Sequence, residues 1–142
     1  MRPSHFDERS AGFVVFCRAD EKEKFLLLRS GRDAFWGLPK GNVGENESDL
    51  DAAKRELLEE TGIICKEHFP EFAEKIHYTF RRHSRVTSKE VIYFLTQAEN
   101  ENVKLSWEHS EFIWVDIATA LRLLAFENLR GVIRKAAKLL GC

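Results

Sequence analysis

Glu56, Glu59 and Glu60 stand at i, i+3 and i+4 within the segment Gly41 to Ile63, GNVGENESDLDAAKRELLEETGI. On an α-helix that spacing puts all three carboxylates on one face. Carboxylates held so close repel one another, so the face is either fully solvated or built to gather a cation. Hard oxygen donors at this density suit Mg²⁺, or Mn²⁺, with waters and anionic ligand oxygens completing the shell. Arg55 lies beside this face and can hold Glu47, or a neighbouring carboxylate, through its planar fork. A second set is cationic: Arg81, Arg82, Arg85 and Lys89 lie close together and serve either as a polyphosphate grip or as a solvated hairpin tip. Tyr78 and Phe126 fit core positions, and Trp36 reads as packing under a loop, with base stacking as the alternative. His77, His83 and His109 lack metal-ligand spacing and read as surface or core residues. Cys17, Cys65 and Cys142 are scattered and form no CxxC pair, which fits isolated thiols rather than a zinc or redox motif. No G-x-S-x-G elbow is present, so nothing points to a nucleophilic serine.

Several elements are needed to position these residues. Ser48 to Thr61 reads as a helix, capped by Ser48 three residues before Asp51, with Asp49 also in the first turn, and ended by Gly62. Its stripe of Leu50, Ala53 and Leu57 lies apart from the acidic face and can seat the helix on a sheet. Ser10 to Arg18 and Lys24 to Arg29 read as strands joined by a hairpin loop, Ala19 to Glu23. A glycine- and aromatic-rich loop follows, SGRDAFWGLPKGNVGENE. Further strands are expected at Lys75 to Arg82, Lys89 to Gln97 and Glu111 to Val115. Asp116 can cap a short helix to about Leu124, and Glu127 to Leu140 reads as an amphipathic helix. The interleaving lacks regular βαβ repeats, so an α/β sandwich with a mixed sheet is expected rather than a doubly wound parallel sheet.

A length of 142 residues with 44% hydrophobic content is enough for a single domain, 1–142, around one core. A net charge of −1 disfavours a protein that wraps nucleic acid over its whole surface. Apolar runs are too short to span a membrane, and MRPSHFDERS has no apolar leader core, so a cytoplasmic location is expected. Oligomeric state is not legible.

The segment from Gly41 matches Gx5Ex7REUxEExGU, with U a bulky aliphatic residue, at every fixed position: Gly41, Glu47, Arg55, Glu56, Leu57, Glu59, Glu60, Gly62 and Ile63. This pattern resembles the Nudix box, and the resemblance implies the Nudix fold, a mixed β-sheet sandwiched between α-helices. It further implies that Glu56, Glu59 and Glu60 bind divalent ions with the backbone carbonyl of Gly41. Glu47, Arg55 and Gly62 are then structural members of the motif. The box leaves the general base open.

Outside the box, FWGLPKGNV, KEVIYFL, LSWEHSEFIWV and LLAFENLRGVI are similar to segments of asymmetrical diadenosine tetraphosphate hydrolases. That resemblance implies phosphate contacts for Lys40, Lys89 and Arg81, aromatic rings around a base at Tyr78 and Phe126, and an acidic ligand or base at Glu108. Asn42 and Trp107 depart from the family pattern, where histidine is common at both places; an amide at 42 still donates a hydrogen bond. The implied activity is Mg²⁺-dependent cleavage of a dinucleoside tetraphosphate into ATP and AMP. The alternatives are another pyrophosphohydrolase activity, on an RNA 5′ end, a nucleoside triphosphate or a nucleotide sugar, and a silent Nudix-fold binding module.

Overall fold

A computed structural model describes residues 6–32 and 34–142, so residues 1–5 of the N-terminal stretch and Asp33 of the loop lie outside the described residues. Two long apolar strands organise the chain: β1 (Glu8–Ala19) and β2 (Lys22–Ser30). The turn between them runs through Asp20 and Glu21, both at positive φ (52° and 63°), which reverses the chain in two residues. Two short strands follow, β3 (Trp36–Gly37) and β4 (Lys40–Asn42), and then helix α1 (Asp49–Thr61). β5 (Glu74–Arg82) and β6 (Arg85–Gln97) form a second hairpin, turning through His83 and Ser84 at φ 51° and 64°. β7 (His109–Val115), α2 (Ile117–Leu123) and α3 (Glu127–Leu140) complete the order.

β1 runs parallel to β6 and antiparallel to β2, which makes the seven-stranded sheet mixed. Phe25 of β2 pairs with both Phe16 and Val115, so β7 lies on the outer edge of β2. The row therefore runs β7, β2, β1, β6, β5. β1 and β2 pair only from Phe16 to Phe25 around their turn. Towards the other end β4 pairs with β1 at Ser10–Gly12, and β3 pairs with β2 at Leu28 and Arg29.

Alternation along β1 and β2 sends side chains to two cores. Ala11, Phe13, Val15, Leu26 and Leu28 meet Ala52, Ala53 and Leu57 of α1. Val14, Phe16, Phe25 and Leu27 meet Ala120 of α2, Leu124 just after it, and Val132, Ile133 and Ala136 of α3. The expected sandwich of a mixed sheet between helices is the one observed. Truncating Leu57 to alanine, in a side chain only 1% exposed, would cost about 2–5 kcal/mol.

The helices start and stop where their caps predict. Ser48 Oγ accepts from the Asp51 amide at 3.0 Å, Asp116 Oδ1 accepts from the Thr119 amide at 2.8 Å, and Gly62 closes α1 at φ 76°. The strands run longer than expected: β6 begins at Arg85 rather than Lys89, and β7 at His109 rather than Glu111. β3 and β4 lie inside what reads as loop. Among the described residues no helix is long and apolar enough to cross a membrane.

Candidate active site

Glu47 and Arg55 form the brace of the site. Arg55 Nε donates to Glu47 Oε2 at 2.8 Å and Nη2 to Glu47 Oε1 at 3.0 Å, a two-pronged pair. Arg55, with the help of the Gly44 amide at 2.9 Å, holds the Glu47 carboxyl down to about 2. The same guanidinium donates through Nη2 to the Asn42 carbonyl at 2.9 Å, and through Nη1 to Glu56 Oε2 at 2.8 Å and Glu59 Oε2 at 3.5 Å. One cation thus ties β4, the loop before α1 and two acidic side chains of the helix.

Gly41 leaves room for the Glu56 carboxylate. A Cβ there would lie 2.0 Å from Cδ of Glu56, so the carboxylate occupies the space a side chain would take. Burial pushes the Glu56 carboxyl up; Arg55 opposes this, and the nearby charges of Glu60 and Glu59 add to it. Glu60 is buried at 6% exposure, and its Oε1 accepts from the Lys40 amide at 3.1 Å. His109 Nε2 stands 3.5 Å from the same oxygen. Glu60 raises the His109 pKa against the opposing effect of burial. Glu59 is the more exposed member of the triplet, with 57% of its side chain open.

These groups line one cleft of about 1280 Å³. Of the residues expected to bind metal or act in catalysis, Gly41, Glu56, Glu59, Glu60 and Glu108 all line it. Of the expected substrate contacts, Lys40, Asn42, Tyr78, Lys89 and Phe126 line it too. Arg81 does not. Tyr78 pairs directly with Lys89 across β5 and β6, and strand alternation sends Arg81 to the opposite face. Arg82 shares the Tyr78 face instead; its guanidinium lies 4.9 Å from the Phe80 ring centroid and bonds Glu8 at 2.8 Å. Arg85 approaches Asp7 at 3.8 Å. The four cations of this stretch are therefore split: Lys89 lies at the cleft, while Arg82 and Arg85 are engaged at the hairpin tip.

Lys89 is mostly buried, with 13% of its side chain exposed, and burial together with the charge of Lys40 lowers its pKa to about 8. Tyr78 packs against the α2–α3 core, whereas Phe126 is half-exposed and sits edge-on to Phe35, centroids 5.1 Å apart. Trp36 packs against the same core and carries the Arg29 guanidinium 5.2 Å from its ring centroid. His109 is the residue that sequence reasoning missed: it reads as ordinary, and only the fold brings it to Glu60.

Among the described residues no group of three His, Cys, Asp or Glu side chains is already gathered to hold an ion. Glu56 and Glu60 are turned to protein donors, the Arg55 guanidinium and the Lys40 amide. The donor set still fits a hard divalent cation. It is all carboxylate, part of it is buried, and Glu56 is pushed towards its neutral form by burial first and then by the negative charge of Glu60 and Glu59, which a cation would offset.

The NUDIX domain matches residues 8–136. Asymmetrical bis(5′-nucleosyl)-tetraphosphatases are similar along nearly the whole chain. That of Mus musculus is 30% identical, with 93% of this chain and 95% of its own length covered. That of Caenorhabditis elegans is 31% identical, with 94% and 96% covered. The crystal structure of a C. elegans Ap4A hydrolase binary complex superposes with a TM-score of 0.85 at 27% identity, over 94% of this chain and 98% of that one. A domain match across most of the chain, an intact box and the same sandwich agree: the chain belongs to the Nudix hydrolase family, enzymes that act on phosphoric anhydride bonds.

Proposed function

We propose that this hydrolase cleaves dinucleoside polyphosphates, taking diadenosine tetraphosphate and water to ATP and AMP in a Mg²⁺-dependent reaction. The observation that carries the reading is the make-up of the cleft, which joins acidic residues, two lysines and aromatic rings in one continuous space. A polyphosphate needs cations along its length, and a base needs a ring to stack on. Similarity to the asymmetrical tetraphosphatases over more than nine-tenths of the chain supports the same substrate class.

Glu56, Glu59, Glu60 and Glu108, with the Gly41 carbonyl, are the groups that would hold the divalent ion. When bound, such an ion neutralises phosphate charge and acidifies water. Lys40 and Lys89 hold phosphate oxygens, and the Asn42 amide adds a donor. Tyr78 and Phe126 hold one base and fix where the chain lies. Water attacks one phosphorus, the anhydride P–O bond breaks, and a carboxylate oxygen takes the water's proton. Arg55 and Glu47 keep these carboxylates in place without touching substrate.

Arg82 and Arg85 are engaged by Glu8 and Asp7, so they offer less to an RNA backbone than their spacing suggests. The test is product identification by mass after incubation with diadenosine tetraphosphate and Mg²⁺. ATP and AMP are expected, with activity lost in chelator and restored by Mg²⁺. Two ADP, full activity in excess chelator, or inertness beside rapid attack on triphosphorylated RNA would overturn the reading.

A further inference from the structure

We infer that Trp107 is a stacking platform for a second nucleobase, so that the cleft takes a ligand with a base at each end of its polyphosphate. This rests on the proposed substrate class and assigns a residue for its far end. Trp107 is 93% exposed, the most open of the large hydrophobic residues among those described, yet it lines the cleft. Scattered apolar residues on a surface are ordinary; an indole left open on the wall of a cleft that also holds lysines and carboxylates is a preformed aromatic face.

Its place in the sheet gives the rest of the argument. Trp107 immediately precedes Glu108 and β7, whose first residue pairs with Ser30 at one edge of the sheet. Tyr78 and Lys89 lie on β5 and β6 at the opposite edge. At this end of the sheet β3 and β4 lie between β2 and β1, so the row from β7 to β5 crosses more than four strand intervals, over about 19 Å along the sheet. The carboxylates are held between. Glu60 is bonded by the Lys40 amide of β4, and its backbone carbonyl accepts from the amide of Ser106, next to Trp107. The cleft therefore offers an aromatic ring, lysines, carboxylates and a second aromatic ring in sequence. A mononucleotide falls short of that span, whereas two nucleosides on one polyphosphate reach across it.

The experiment reads binding, so it stands apart from turnover. Intrinsic fluorescence is followed during titration with diadenosine tetraphosphate and with adenosine 5′-tetraphosphate, which lacks the second base, in Ca²⁺ and again in chelator. Trp36, Trp107 and Trp114 all emit, and subtracting the Trp107→Phe protein isolates position 107. Quenching of that component by the dinucleotide is expected. Trp107→Ala should lower the binding preference for the dinucleotide over adenosine tetraphosphate by about 5–150-fold, the worth of one stacked base. Trp107→Phe should restore most of it. An unquenched Trp107, or the same preference in Trp107→Ala, overturns the inference even if ATP and AMP are the products. Conversely, quenching and preference intact in a protein that makes other products would leave it standing while the proposed reaction failed.

Discussion

A lysine whose ammonium is mostly shielded from water releases its proton more readily, and Lys89 is in that state at the cleft wall. Its pKa, lowered to about 8 by burial and by Lys40, sets a pH window for phosphate binding. Below about 8 the free protein presents a cation; as pH rises through that value the cation is lost. A descending limb in kcat/KM near pH 8 is therefore expected, since kcat/KM reports the free enzyme. Lys89→Arg should move the limb upward out of range, and Lys89→Ala should lower kcat/KM by about 10–100-fold, as for loss of a charged hydrogen bond. Persistence of the limb in Lys89→Arg would assign it elsewhere. Residues differ in how legible such roles are from sequence. Glu56, Glu59 and Glu60 can be read because helical spacing alone puts them together. Arg81 misleads because composition cannot tell which of two adjacent arginines shares a face with Tyr78; the pairing of Tyr78 with Lys89 decides it. His109 has no local signal, since its partner Glu60 arrives from another element.

At the scale of elements, α1 holds the carboxylates and its position is fixed at both ends. Ser48 caps the start and Gly62, at positive φ, returns the chain at the end. Ser48 touches neither the cleft nor the acidic face. Ser48→Ala should therefore cost about 1 kcal/mol, the usual worth of an N-cap, and lower Tm by about 3 °C with kcat retained. Thermal unfolding beside a rate assay checks both; a large fall in kcat without loss of stability would mean the cap sets the carboxylate register. These helix limits were readable because capping chemistry is local: Ser48, Asp116 and Gly62 announce themselves. β3 and β4 were not, because two or three residues carry no period, and Pro39 and Gly41 within the stretch argue for loop. The hairpin between β1 and β2 is expected at Ala19–Glu23, and what the sequence hides is how tight both hairpin turns are. Asp20–Glu21 and His83–Ser84 take positive φ without a glycine, so neither has the usual turn signature and the strands overrun the expected limits.

Across the whole molecule, the cleft lies at the end of the sheet where β1 and β2 part and β3 and β4 pair with them. Helices from both faces contribute: α1 brings the carboxylates, and the start of α3 brings Phe126. A ligand held by a base near Tyr78 and Phe126 must run its phosphates past Lys89 and Lys40 towards Glu60 before it reaches Trp107. The distance from the base to the carboxylates is then set by packing that the substrate cannot alter, so one phosphorus meets the attacking water. Removing the anchor should loosen that register. Tyr78→Ala or Phe126→Ala is expected to raise KM by about 5–150-fold, from a stacking loss of 1–3 kcal/mol, and to let two ADP appear beside ATP and AMP. Tyr78→Phe, which keeps the ring, should retain the wild-type products and controls for the part Tyr78 plays in the core. Hydrolysis in ¹⁸O-labelled water reads the outcome directly: in the wild type a single product carries the label, and in the alanine variants the label spreads. If both alanine variants raise KM yet keep one labelled product, the position of cleavage is set by the carboxylates and lysines alone, and the base serves affinity only.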